Sequence, residues 1–162
     1  MARLLPYENV DSIINAVLAD DALRLVVVGE GPDWPRLTAL IGGSDHVRLV
    51  GSVSDAELRW LYSNASGLVA ASYEDYGLSP LEAATFGKPT AALHGGGYLD
   101  TIDVEVNGLF FDKPEPAGIR RGLRELVARS WDESAIVRHA DLFSESRFVT
   151  RLREVVAEEL TG

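Results

Sequence analysis

The run Leu23-Arg-Leu-Val-Val-Val28 constrains the fold more than any other stretch of the chain. Its β-branched residues mark a strand, and they do not alternate with polar ones as they would if one face met water. A strand buried on both faces belongs in a parallel sheet, and parallel neighbours need a helical crossover between them. The rest of the sequence supplies those crossovers. Gly29-Glu-Gly-Pro32 turns the run into a helix expected over Trp34–Ile41, and residues 47–50 form a second strand before a helix over 54–63. Further strands are expected over 68–71, Thr90–Leu93 and 109–111, with a helix over 79–86 and an Asn107-Gly108 turn between them. Helices at about 117–130, 132–142 and 145–160 complete the chain. Near its start, Ile13, Ile14, Val17 and Leu18 recur at helical spacing, and residues 1–5 read as the tail of a strand without its beginning. The expectation is one α/β domain over 1–162, a mostly parallel sheet with helices on both faces. Its loops after Val28, Val50, Ala71 and Leu93 would gather at the carboxyl edge, where ligands bind in such sheets.

Composition narrows the classes of function. An apolar share of 46% in 162 residues suits a soluble domain with one real core. The absence of cysteine excludes disulfides and thiolate metal sites, and accords with a cytoplasmic location. His46, His94 and His139 stand far apart with no ligand spacing, so no metal site is expected. No run has the length of a membrane span, and the N-terminus lacks the layout of a signal peptide. A net charge of −10 argues against nucleic acid as a partner, because tracking phosphates needs a basic stripe. A single nucleotide is compatible, since one or two cations and a helix terminus can hold it. The late arginines 120, 121, 124, 147, 151 and 153 interleave with acids at helical spacing and read as solvated helix faces.

The chemistry concentrates in Ser72-Tyr-Glu-Asp-Tyr-Gly-Leu-Ser-Pro-Leu-Glu-Ala83. Ser79 reads as an N-cap, with Pro80 at the first helical position and Glu82 closing a capping box worth about 1 kcal/mol. Gly87 and Pro89 end the helix. Glu74 and Glu82 therefore flank a glycine-bearing turn where a strand hands over to a helix N-terminus, a place that favours an anion. The plainer alternative is that Glu82 is a cap and Glu74 an exposed loop acid. Ser54-x-x-Glu57 is a second capping box. His94-Gly-Gly-Gly97 either admits a close backbone approach or makes a flexible turn. Position 34 is Trp, so Gly29-Glu-Gly31 does not extend to a dinucleotide fingerprint, and neither a P-loop nor a G-x-S-x-G elbow occurs.

In their order and spacing these segments resemble the C-terminal, donor-binding half of a retaining GT-B glycosyltransferase of the family 4 group, the glycosyl transferases group 1. The resemblance rests chiefly on Glu74-x7-Glu82 continuing to Gly87-Lys-Pro89. Ala2-Arg-Leu4, Val28-Gly-Glu-Gly-Pro32, Gly51-Ser-Val-Ser54, Gly95-Gly96 and Asn107-Gly-Leu109 reinforce it. It implies a Rossmann-like three-layer domain, one half of a GT-B enzyme. It also implies that Glu82 accepts hydrogen bonds from the donor's ribose and that Glu74 faces the transferred sugar. Backbone groups of Tyr76, Gly77 and Leu78 would hold sugar hydroxyls or the distal phosphate. Arg3 would neutralise the diphosphate leaving group, Ser52 and Val53 would flank the base, and Gly29 would line the cleft. Glu74 and Arg3 are the implied catalytic residues. No metal or other cofactor is implied; the donor is a nucleoside-diphosphate sugar, with the opening Arg-Leu-Leu-Pro-Tyr resembling users of GDP-mannose.

Two departures from the family pattern stand out. Glu8 occupies the place of a phosphate-binding lysine, which reverses the sign of an interaction there. Asp100 stands where glutamate is commoner. The resemblance also implies an acceptor-binding N-terminal domain that this chain lacks, against which the last helix would pack. It implies an isolated half that is inactive, and an enzyme that is cytoplasmic or peripheral at the inner face of a membrane. The alternative is a degenerate binding module of the same fold, with Glu8 as its motive.

Overall fold

The computed structural model describes residues 3–161. Among them, five strands alternate with helices: β1 (Leu25–Val28), β2 (Val47–Gly51), β3 (Leu68–Ala70), β4 (Thr90–Leu93) and β5 (Gly108–Phe111). A single 3-10 turn, Pro6–Glu8, leads into α1 (Val10–Leu18). Then come α2 (Trp34–Ile41), α3 (Asp55–Asn64), α4 (Leu78–Thr85) and the short α5 (Tyr98–Thr101). The chain ends with α6 (Pro116–Ala128), α7 (Glu133–Asp141) and α8 (Glu145–Thr161). Residues 3–5 form no strand; Met1 and Ala2, the first half of the expected strand tail, lie outside the described residues.

Every strand pairing is parallel, as the apolar runs require. The sheet, however, comes in two pieces, β2-β1 and β3-β4-β5. The expectation that the run 23–28 is buried on both faces is thereby corrected. Only Val27 and Val28 are buried in β1, and Val26 is 46% exposed, because β1 has a strand neighbour on one edge alone.

Alternation along the second piece divides the core between its faces. Ala91, Leu109 and Phe111 join Ile119, Leu123 and Leu126 of α6 in the main core, together with Ile13, Ile14 and Val17 of α1. Ala92 points the other way, toward Tyr98 and Ile102. Ala84 of α4 packs against Ile136 and Ala140 of α7. The seam between α1 and α6 is tied at one end by Arg124, whose guanidinium pairs with the buried Asp20 carboxylate just beyond α1 and holds it below the usual carboxylate range. Arg120 donates to the Ala19 carbonyl beside it.

Local signals explain most element ends. Ser54 and Glu57 form the expected reciprocal capping box on α3. Asn9 sits at φ 54°, a conformation asparagine tolerates, and its amide donates to the Ala71 carbonyl at 2.9 Å instead of capping α1. The buried Asn107 pins the turn before β5, accepting from the Asp103 amide and donating to the Thr101 carbonyl. Along α8, Phe148, Leu152, Val155 and Val156 are exposed.

Candidate functional site

A cavity of about 1280 Å3 runs along the facing edges of β1 and β3 and reaches their carboxyl ends and the amino end of α4. Arg3, Gly29, Glu74, Tyr76, Gly77, Leu78 and Glu82 all line it, so seven of the residues singled out from sequence converge there. Ser52 and Val53 do not line it. They follow β2 on the same edge, Ser52 exposed and Val53 half-buried, where the Gly29 amide donates to the Gly51 carbonyl at 2.8 Å.

The glycine run after β4 shapes the loop that carries Glu74. Gly97 donates its N–H to the Glu74 carbonyl at 2.7 Å. A Cβ at Gly97 would stand 2.4 Å from Cα of Tyr76, so only glycine admits the loop this closely. Of the two sequence readings, close approach is the one realised, and the approaching backbone is that of residues 74–76. Beneath the loop, the Tyr98 hydroxyl meets Ser72 Oγ at 3.1 Å, and its ring lies against Gly77.

The turn into α4 differs from the sequence expectation. Gly77, at φ 78°, is the N-cap, and no side chain caps the helix. Ser79 is already the second helical residue and Pro80 the third, a position where a missing N–H costs nothing because the first-turn amides have no partner within the helix. The box of Ser79 with Glu82 does not form. Glu82 Oε2 instead accepts from the Tyr62 hydroxyl at 3.0 Å, with Tyr62 stacked on Phe86. Burial, and then the charge of Glu82, push the Tyr62 hydroxyl well above its ordinary pKa, so it remains a donor. The helix N-terminus thus presents the amides of Leu78 and Ser79 uncapped, beside a carboxylate held from a neighbouring helix.

Sequence reasoning missed Tyr62 and Tyr98. The placement of Tyr98 directly after the glycine run was the available signal; nothing in α3 marked Tyr62 as facing α4.

Residues 1–140 match the family described as glycosyl transferases group 1. The chain belongs to that family. Among curated relatives, the D-inositol 3-phosphate glycosyltransferase of Salinispora arenicola is 32% identical, over 100% of this chain and 41% of its own. Glycogen synthase of Thermus thermophilus is 27% identical, over 99% and 38%. Among solved structures, sucrose-phosphate synthase from Thermosynechococcus elongatus superposes with a TM-score of 0.80 at 20% identity, over 99% of this chain and 44% of that one. HepE of Anabaena, in complex with UDP-glucose, gives 0.79 at 22% identity, over 99% and 47%. The fold is that of a Rossmann-like GT-B half-domain, and this group 1 glycosyltransferase chain spans about two fifths of the length of the curated relatives it matches.

Acids gather at the cavity mouth of this group 1 glycosyltransferase chain. Glu8 lines it together with Glu30, Glu74, Asp75 and Glu82, and Arg3 lines it beside them. Burial raises the Glu8 pKa and the charge of Glu74 adds to it, while Ser72 and Arg3 pull the other way. Burial likewise pushes the Tyr98 hydroxyl up to about 12, with Glu74 and Glu8 contributing and the Ser72 bond opposing. Lys88 does not compensate. It lies beyond the far end of α4 and pairs there with Glu133 of α7 at 3.1 Å. No helix among the described residues is long and apolar enough to cross a membrane.

Proposed function

We propose that this chain binds the nucleoside-diphosphate sugar donor of a retaining glycosyltransferase, with transfer taking place in a cleft that an acceptor-binding domain completes. The observation that carries this reading is the convergence of Glu74, Glu82 and the uncapped start of α4 on one cavity that Arg3 also lines. In this reading Glu82, aimed by Tyr62, accepts the ribose hydroxyls. The amides of Leu78 and Ser79 and the dipole of α4 meet the distal phosphate or the sugar hydroxyls. Arg3 stabilises charge as the bond from the anomeric carbon to the diphosphate oxygen breaks, a task suited to a guanidinium fork. Glu74 faces the sugar, and the acceptor oxygen forms its bond on the face the diphosphate leaves, its proton passing to the departing diphosphate oxygen. Ser52 and Val53, beside the cavity, flank the base. The exposed apolar side of α8 packs on the companion domain, and the isolated chain transfers no sugar.

Two donors merit direct comparison: GDP-mannose, which the opening Arg-Leu-Leu-Pro-Tyr favours, and UDP-glucose, which the HepE complex favours. Glu8 beside Glu74 favours a second reading, a binding module that has lost diphosphate affinity. Calorimetric titration with GDP, UDP and ADP, then with the two nucleotide sugars, separates these. The donor-domain reading expects one base to be selected and Glu82→Ala to weaken it about tenfold or more, the worth of a charge-assisted hydrogen bond. Silence from the native chain together with binding by Glu8→Lys would establish the second reading.

A further inference from the structure

We propose that Glu8 makes donor binding proton-coupled: a diphosphate enters the cavity together with a proton from solvent that neutralises the Glu8 carboxylate, and the two leave together. This rests on the donor-site reading and adds an ionic partner to it. Glu8 is placed by its neighbours on both sides. Its amide donates to the Leu5 carbonyl at 3.0 Å, which closes the turn Pro6–Glu8. The next residue, Asn9, donates to the Ala71 carbonyl at 2.9 Å and pins that turn just past the end of β3. From there a continuous wall leads to the start of α4. Ser72 Oγ meets the Tyr98 hydroxyl at 3.1 Å, and the Tyr98 ring lies against Gly77. Glu8, Ser72, Tyr98 and Gly77 all line the cavity. The carboxylate therefore shares one wall with the uncapped amides that suit a phosphate.

The charges around Glu8 decide what that wall can hold. Burial and the Glu74 carboxylate, on the loop after β3, work against a charge on Glu8; the Ser72 hydroxyl and Arg3 work for it, and the first two prevail. Tyr98, on the same wall, stays neutral, its hydroxyl pushed up to about 12. Arg24 also lines the cavity, but just before β1, where it donates to the Asp21 and Leu23 carbonyls. A diphosphate brought to this wall acts on Glu8 in the same sense as Glu74 does. The complex therefore holds the Glu8 proton more tightly than the free chain. Linkage then fixes the sign. Affinity is lowest where Glu8 is charged in both states. It climbs by up to about tenfold per pH unit as pH falls through the value in the complex, and levels off below the value in the free chain.

Calorimetric titration with GDP-mannose and UDP-glucose tests this, because each phosphate of a nucleotide sugar keeps a single charge across the range and takes up no proton itself. The native chain and Glu8→Gln are titrated between about pH 5.5 and about pH 8, in pairs of buffers that differ in ionisation enthalpy. A chelator is present throughout, so that no metal ion stands in for the proton. The native chain is expected to bind at least about tenfold more tightly at the acid end, taking up as much as about one proton per donor within the window. Glu8→Gln is expected to bind tightly at every pH with no uptake. Native binding that neither varies with pH nor takes up a proton overturns the proposal and leaves the donor site standing. Uptake that persists in Glu8→Gln puts the proton on another group and overturns it too. So does a native chain that is silent at every pH while Glu8→Gln binds. Silence from both chains ends the donor-site reading itself, and this proposal with it.

Discussion

Tyr62 and Glu82 are joined by a 3.0 Å hydrogen bond that crosses from α3 to α4, so a carboxylate at the cavity is aimed by a side chain twenty residues earlier. Tyr62 is buried and stacked on Phe86, which fixes the donor before any ligand arrives. Tyr62→Phe keeps the ring packing and removes only the hydroxyl. It is expected to cost about 1 kcal/mol of stability and to weaken nucleotide binding several-fold. Thermal denaturation and calorimetry on the same preparation check both halves. Unchanged affinity would mean that the hydroxyl serves packing alone.

Glu8 makes stability depend on pH in a direction opposite to most carboxylates. Its folded pKa lies above the ordinary 4.5, chiefly through burial and then through Glu74. The folded state therefore holds the proton more tightly than the unfolded one, and stability falls as pH rises from 4.5 through the raised folded value. Above that value the cost is present in full; below 4.5 it is absent. Glu8→Gln should accordingly raise the melting temperature at pH 7 and match the native chain in acid. A melting series over this window would sink the assignment if the two chains ran parallel throughout.

Gly77 separates backbone strain from crowding when set beside Gly43. Both have positive φ, 78° and 84°. A Cβ at Gly77 would lie 2.6 Å from the Tyr98 ring, whereas one at Gly43 meets nothing within 4 Å. Gly43→Ala should cost about 1 kcal/mol, the left-handed penalty alone. Gly77→Ala should cost about 2–4 kcal/mol, because the buried ring must also move. Denaturant titrations giving equal losses would show that the Tyr98 ring yields freely.

Much of the architecture was legible because parallel strands and their crossovers announce themselves through continuous apolar runs and glycine turns. A strand ending at Val28 and the Asn107 turn were read for that reason, though not the strand's exposure, and the α3 capping box because its whole pattern lies within four residues. The capping box assigned to Ser79 failed because two non-local contacts outweigh a local pattern: Gly77 turns the chain early, and Tyr62 takes Glu82. No window around Ser79 contains Tyr62. The same limit applies to the glycine run, whose two readings could be told apart only by seeing residues 74–76 against Gly97. The exposure of Val26 was hidden too, because a residue's sequence reports what it is suited to meet and not whether that neighbour is there.

Between the two half-sheets, among the described residues, continuity runs through helix packing and not through a strand ladder. Ladders resist sliding through directional bonds; interlocked side chains resist it less sharply. The seam of α1 with α6, held at one end by Arg124 on Asp20, is therefore what ties the piece that leads to Glu30 to the piece that leads to Glu74. A substitution at Asp20 or Arg124, neither of which lines the cavity, would loosen the tie between the two pieces that carry those carboxylates.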